Sequence, residues 1–279
     1  MIIVDGKKIA EKVLRGLKQS PVKEQLKRKK ISAVAVEPNQ ETVHFLKQKQ
    51  KIAQELGLNF EVLEFPKNLS IKELVNEIRQ LGQDPVVAGI IIQLPLPQHL
   101  DRQALFNAVP VFKDIDLLSE EAFHLLFFEA EEILPPVIGA IDRIFKEHQL
   151  NLTNKSAVVL GAGKLIGIPA LAWLAKKGVE VCSLKDWSDS AEYFLPRADI
   201  LITGLGKPEI VKAECLKNGV CVFDVGYNLV NGKIKGDVDF ASVSKKAEII
   251  TPVPGGIGPL VVACLFENLF RLYERSLVN

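Results

Sequence analysis

The sequence predicts an α/β protein of two domains. Three observations carry this expectation. Strand-like and helix-like segments alternate along most of the chain. The first 116 residues read β-α-β-α-β, an order that requires helical crossovers and hence a parallel sheet covered on both faces. A second unit begins near Ser156 with a strand, a glycine-rich turn, a helix and another strand.

The elements follow in order. Residues 7–29 read as one helix, with Lys27-Arg28-Lys29-Lys30 as its solvated basic end. SAVAVE (32–37) is a short buried strand, and residues 41–57 are a helix ended by Gly57. NFEVLEFP is a second strand and residues 70–82 a second helix. VVAGIIIQLPLP is a third strand, halted by Pro95 and Pro97. Residues 101–108 make a short helix. After Asp116, EAFHLLFFEAEEILPPVIGAIDRIF is helix-rich, and its break at Pro135-Pro136 marks the interdomain connection. ADILITGLG, VCVFDVGYN and EIITPVPGG are strands of the second unit, and a last helix covers about 258–275. The expected domains are 1–134 with 260–279, and 135–259.

Composition narrows the function classes. The net charge of +1 over 279 residues gives no broad basic field for nucleic acid or an acidic membrane surface. No apolar run approaches the ~18 residues of a membrane span. The amino-terminal stretch is charged by Asp5 and lacks the apolar core of a secretion signal. Cys182, Cys215, Cys221 and Cys264 lack metal-ligand spacing, so they read as reduced thiols of a cytoplasmic protein with no bound metal.

The helix HFLKQKQKIAQELGL places three lysines at alternate positions. With Phe45 at 0° on a helical wheel, Leu46, Ile52, Ala53 and Leu56 fill an arc centred near about 40°. Lys47 and Lys51 point away from it, but Lys49 falls in its middle. A lysine held there is pushed toward its neutral form by desolvation. The alternative is that it threads its ammonium out to water.

In VVLGAGKLIGIPALAWLA a β-branched strand runs into Gly161-Ala162-Gly163, and Gly167 follows inside the next helix. Such glycines allow a tight turn and the approach of a phosphate to amides at a helix N-terminus. The pattern points to a dinucleotide, although glycines also close ordinary turns. Asp186, 19 residues after Gly167, is placed to bind the adenosine ribose hydroxyls and repel a 2′-phosphate. Lys185 and the loop-borne Lys164 favour that phosphate. The balance leans to NADP, with NAD the alternative. Gly206 closes a further strand on the side where ligands of open α/β sheets bind. In TPVPGGIGPL, Pro254, Gly255, Gly256 and Pro259 form either a rigid connector or a loop that lies against a ligand.

The GxGxxxG turn, the Lys49 helix, GIIIQLPLP and TPVPGGIGP together resemble the bifunctional methylenetetrahydrofolate dehydrogenase/cyclohydrolase family. GIIIQLPLPQHL, VFDVGYN, GKIKGDVDF and TPVPGGIGPL keep the family's order and spacing. The resemblance implies an N-terminal α/β domain, a Rossmann-type NAD(P)-binding domain and a cleft between them. It also implies a final helix packed back on the first domain, and a homodimer. The implied catalytic residues are Lys49, Gln93 and Asp116, with tetrahydrofolate derivatives as substrates and Phe45 at a position where the family carries tyrosine. Several departures accompany it. Asp114-Ile115-Asp116-Leu117-Leu118-Ser119 stands where the family reads DVDGFH, so a glycine and its turn are expected to be lost. Pro135-Pro136-Val137-Ile138 replaces PCTP, Gly163 replaces a serine and Lys185 a histidine. The implied reaction oxidises 5,10-methylenetetrahydrofolate and hydrolyses the methenyl product to 10-formyltetrahydrofolate. Phe45 and the altered loop after Asp116 leave two alternatives, a dehydrogenase with weak hydrolysis or a binding protein without turnover.

Overall fold

The computed structural model describes residues 1–128 and 133–278. Residues 129–132, within the expected helix-rich stretch, lie outside the described residues. Two compact units emerge: residues 12–136 with 262–279, and residues 1–11 with 137–261.

In the first unit, three described strands form a parallel sheet in the order Asn59–Phe65, Lys30–Val36, Val87–Ile92. The central strand is buried from Ile31 to Val36, as its apolar run requires. Helices Gln40–Leu56 and Ile71–Gln83 make the crossovers. Asn39 caps the former by accepting from Thr42 N–H, and Gly57 ends it at φ +73°. Ser70 and Glu73 form a capping box on the latter, whose Leu74 and Ile78 pack on Val34, Val36, Ile90 and Ile92. The expected helix over 7–29 is in fact two, Gly6–Lys18 and Lys23–Leu26. Pro21 separates them, lacking the N–H that an unbroken helix needs.

The helix Ile257–Ser276 delivers its last turns to this unit. There Asn268 Nδ2 donates to the carbonyls of Ile115 and Leu134. Gly89 lets it approach closely, since a Cβ there would lie 2.9 Å from Leu269 Cδ1.

The second unit holds a parallel sheet of six described strands. Their order is Ile2–Ile3, Ile249–Ile250, Cys221–Asp224, Ile200–Thr203, Ser156–Leu160, Glu180–Leu184. Ile2–Ile3 thus pairs into this sheet, and residues 1–11 cluster with residues 137–261, whereas the expected boundary grouped them with residues 12–134. A two-residue strand carries too little pattern to be assigned locally, and Ile2–Ile3 is defined by its distant partner Ile249–Ile250. An antiparallel ribbon, Asn228–Val230 with Lys233–Lys235, was also not foreseen. Its turn is Asn231-Gly232, both at positive φ, the pairing that suits a two-residue hairpin.

Candidate active site

The helix Gln40–Leu56 buries Thr42, Leu46, Ala53 and Leu56, while Lys47 and Lys51 stand exposed. Lys49 shares the buried arc. Its stem is partly accessible, but its Nζ turns inward and donates to Gln93 Oε1 at 3.0 Å. Gln93 is 7% exposed and sits just past the strand Val87–Ile92. Its backbone N–H still pairs with the Val34 carbonyl, and its Nε2 donates to the Leu94 carbonyl. Both ends of the amide are thus occupied, and its oxygen is aimed at the lysine.

Burial lowers the Lys49 pKa, and the negative charge of Asp116 opposes that shift. Burial raises the Asp116 pKa, and Lys49 opposes it. Desolvation leads in both groups, so each is driven toward its neutral form. Lys49, Gln93 and Asp116 are therefore brought together.

Asp114, two residues earlier, serves the loop instead. Its Oδ2 accepts from the N–H groups of Leu118 and Ser119, and burial pushes its pKa up to about 6. Asp114 thereby holds Ser119, whose Oγ accepts from Ala122 N–H at the start of the helix Glu120–Phe128. The expected loss of the turn after Asp116 is not observed. Leu117 takes φ +56°, its N–H bonded to the Asp114 carbonyl, so a leucine holds the left-handed conformation. Its side chain is buried, which offsets that conformational cost. Phe45, four residues before Lys49, is half-buried on the same helix.

The second unit carries the glycine turn. Gly161 has φ +97°, and a Cβ there would lie 2.6 Å from the Gly204 carbonyl oxygen. A Cβ on Gly167 would overlap the Gly161 carbonyl, so the helix Gly167–Lys176 can start only from a glycine. Gly163 differs, with nothing within 4 Å of its would-be Cβ. These are the close backbone approaches that a dinucleotide turn requires, with open space left at Gly163. Lys164, Lys185 and Asp186 are exposed, and Asp186 accepts from Trp187 N–H and Lys207 Nζ. Gly206 turns at φ +69° just before that lysine.

Two further acids went unrecognised in the sequence. Asp237, fully buried, accepts from Thr203 Oγ1, the N–H groups of Leu205 and Lys207, and Asn228 Nδ2. It thereby fixes the loop that carries Gly206. Asp224 accepts from the N–H groups of Gly226, Asp237 and Val238, and burial lifts its pKa to about 6. The clue was present in VFDVGYN and GKIKGDVDF: side chains on Gly226 and Gly236 would collide with these carboxylates.

The loop 251–259 is tightly built. Gly255 has φ +106° and its carbonyl accepts from Gly6 N–H. A Cβ on Gly256 would lie 2.6 Å from the Pro252 carbonyl oxygen. Pro254 is exposed, and Pro259 occupies the first turn of Ile257–Ser276, where proline is tolerated. Among the described residues no cluster of His, Cys, Asp and Glu is arranged for a metal ion.

Comparison with known proteins places this geometry. Residues 4–116 match the model of the tetrahydrofolate dehydrogenase/cyclohydrolase catalytic domain, and residues 135–277 that of its NAD(P)-binding domain. A bifunctional protein FolD of Nautilia profundicola is 38% identical, covering 97% of this chain and 96% of that protein. The crystal structure of the FolD dehydrogenase/cyclohydrolase of Campylobacter jejuni is similar, with TM-score 0.91, 32% identity and 99% of both chains covered. That of Trypanosoma brucei FolD, complexed with NADP cofactor and inhibitor, has TM-score 0.91 and 27% identity over 100% of this chain and 99% of that one. The chain belongs to the tetrahydrofolate dehydrogenase/cyclohydrolase family.

Proposed function

We propose that the protein oxidises 5,10-methylenetetrahydrofolate to the methenyl form with NADP and hydrolyses that product to 10-formyltetrahydrofolate. The observation that carries the reading is the buried Lys49 amine, bonded to Gln93 and electrostatically coupled to the buried Asp116 carboxyl.

A protonated lysine beside the cationic methenyl ring would raise the barrier by charge repulsion. With its pKa lowered, Lys49 offers a lone pair instead. It takes a proton from water as the oxygen bonds to the methenyl carbon. It returns that proton to the ring nitrogen as the carbon–nitrogen bond breaks, and the water's other proton leaves to solvent. Gln93 Oε1 holds the amine by one N–H, which orients the lone pair. Asp116 accepts hydrogen bonds from the pterin N–H groups, and Phe45 stacks on a flat ring of the substrate.

When bound, the nicotinamide accepts the hydride of the oxidation step. Gly161, Gly163, Lys164 and Gly167 hold its phosphates, with Gly206 on the neighbouring loop. Lys207 partly neutralises Asp186, and Lys185 stands beside it, a balance that supports NADP over NAD. Pro254, Gly255, Gly256 and Pro259 present a rigid backbone to the substrate. The reading includes a homodimer acting in the cytoplasm. It is supported by the family and by four cysteines that form no disulfide among the described residues. Among those residues, no helix is long and apolar enough to cross a membrane.

Absorbance tests this directly. Methenyltetrahydrofolate should form with NADP faster than with NAD, and should decay when supplied alone. Ligand binding with neither signal would refute the proposal.

A further inference from the structure

The unit that carries Lys49 has a second concavity at the other end of its sheet. Gln93 follows the C-terminal end of the strand Val87–Ile92, whereas Val87 and Ala88, at its start, border a cavity of about 670 Å³. The length of the strand, roughly 20 Å at ~3.3 Å per residue, separates the two. Small-molecule pockets span about 300–1,000 Å³, so the space suits a ligand of that class. Its wall is closed where the helix Ile71–Gln83 meets Pro110, and Gly82 permits the contact. A Cβ at Gly82 would lie 2.7 Å from Pro110 Cγ.

Three cations border the cavity, Lys29, Arg79 and Lys113, and none of the described residues that border it is acidic. Lys113 is 7% exposed, an unusual state for a lysine. Its Nζ donates to the Asp84 carbonyl at 2.7 Å and lies 5.8 Å from the Phe112 ring centroid. Lys29 Nζ donates to the Pro85 carbonyl at 2.9 Å. An ammonium has three protons, so each carbonyl uses one donor and leaves others for a ligand. Burial lowers the Lys113 pKa, the Asp84 charge opposes, and the Lys29 charge adds to the lowering. The two ammonium groups therefore repel each other, and capping a carbonyl does not relieve that repulsion. The remaining wall is mainly apolar, with Phe112, Pro110 and Tyr273 prominent.

We propose that this cavity binds a small organic anion with a flat apolar body, of the aryl carboxylate or aryl phosphate class. The charged group meets Lys113, Lys29 and Arg79, and the body lies against Phe112, Pro110 and Tyr273. Calorimetric titration of the full-length protein with phenyl phosphate, in saturating NADP to occupy the nucleotide site, tests it. One-to-one binding is expected, weakened at least tenfold by Lys113→Met and by Arg79→Gln, and at least tenfold weaker for benzyl alcohol. Arg79 is exposed on its helix, so its variant folds even if loss of the Lys113–Asp84 bond impairs the other. Equal affinity of Arg79→Gln and the parent would overturn the proposal, as would equal affinity for the neutral alcohol. A fall in sedimenting mass with Arg79→Gln would assign the face to a second copy of the chain instead.

Discussion

Replacing Lys49 by methionine separates folding from chemistry. The change removes the amine and keeps an unbranched side chain on the buried arc of its helix. Gln93 Oε1 loses its donor, and a buried acceptor left unpaired costs about 1–3 kcal/mol. Against this, the cost of burying a polar amine disappears and the thioether adds buried apolar surface, together about 1–2 kcal/mol. The two nearly cancel, so the thermal midpoint should move by no more than about 4 °C. The hydrolytic step loses its acid–base group, which is worth roughly 100- to 10,000-fold, or about 3–5 kcal/mol of barrier. The assay is the first-order decay of methenyltetrahydrofolate absorbance, with circular-dichroism melting in parallel. The parent rate should rise with pH through the lowered lysine pKa and then level off, because only the neutral amine accepts a proton. The variant should show no such rise. A folded Lys49→Met protein that hydrolyses at the parent rate would refute the reasoning.

Further substitutions test the loop at Asp114 and the glycine turn. Asp114 has a folded pKa of about 6, raised above 3.8, so the native state holds its proton longer than the unfolded chain. Its contribution is present below about pH 4 and lost as pH rises through 6, up to about 3 kcal/mol. Asp114→Asn should flatten this decline in a urea-midpoint series, and an unchanged pH profile would contradict the assignment. Gly167→Ala should abolish dinucleotide binding in a calorimetric titration, because its methyl group meets the Gly161 carbonyl; Gly163→Ser should bind as the parent does. Leu117→Gly should relieve about 1 kcal/mol of backbone cost yet lose about 3 kcal/mol of burial. A lower melting temperature is expected, and a higher one would mean that backbone strain dominates.

What could be read in advance was what local pattern encodes. Lys49 stood out because one helix turn places it among Leu46, Ala53 and Leu56, and its partner Gln93 followed a buried strand that prolines end. The glycine turn was visible because backbone contacts leave no room for side chains. The hidden parts depend on distant pairing. Ile2–Ile3 is a strand only because Ile249–Ile250 lies beside it, a pairing that two residues cannot announce locally. Asp237 looks like an ordinary loop acid until four donors from two separate segments converge on it. The turn at Leu117 was misjudged because the missing glycine is compensated by burial, which a rule about backbone freedom alone does not include.

The amino-terminal strand has a practical consequence. Val4 N–H holds the Ile250 carbonyl and Gly6 N–H holds that of Gly255, so the chain's beginning buttresses the 251–259 segment. Trimming five residues would uncover a raw sheet margin and slacken that segment together. An affinity tag fused there hangs from the same brace, so a carboxy-terminal tag is the safer handle for kinetic work.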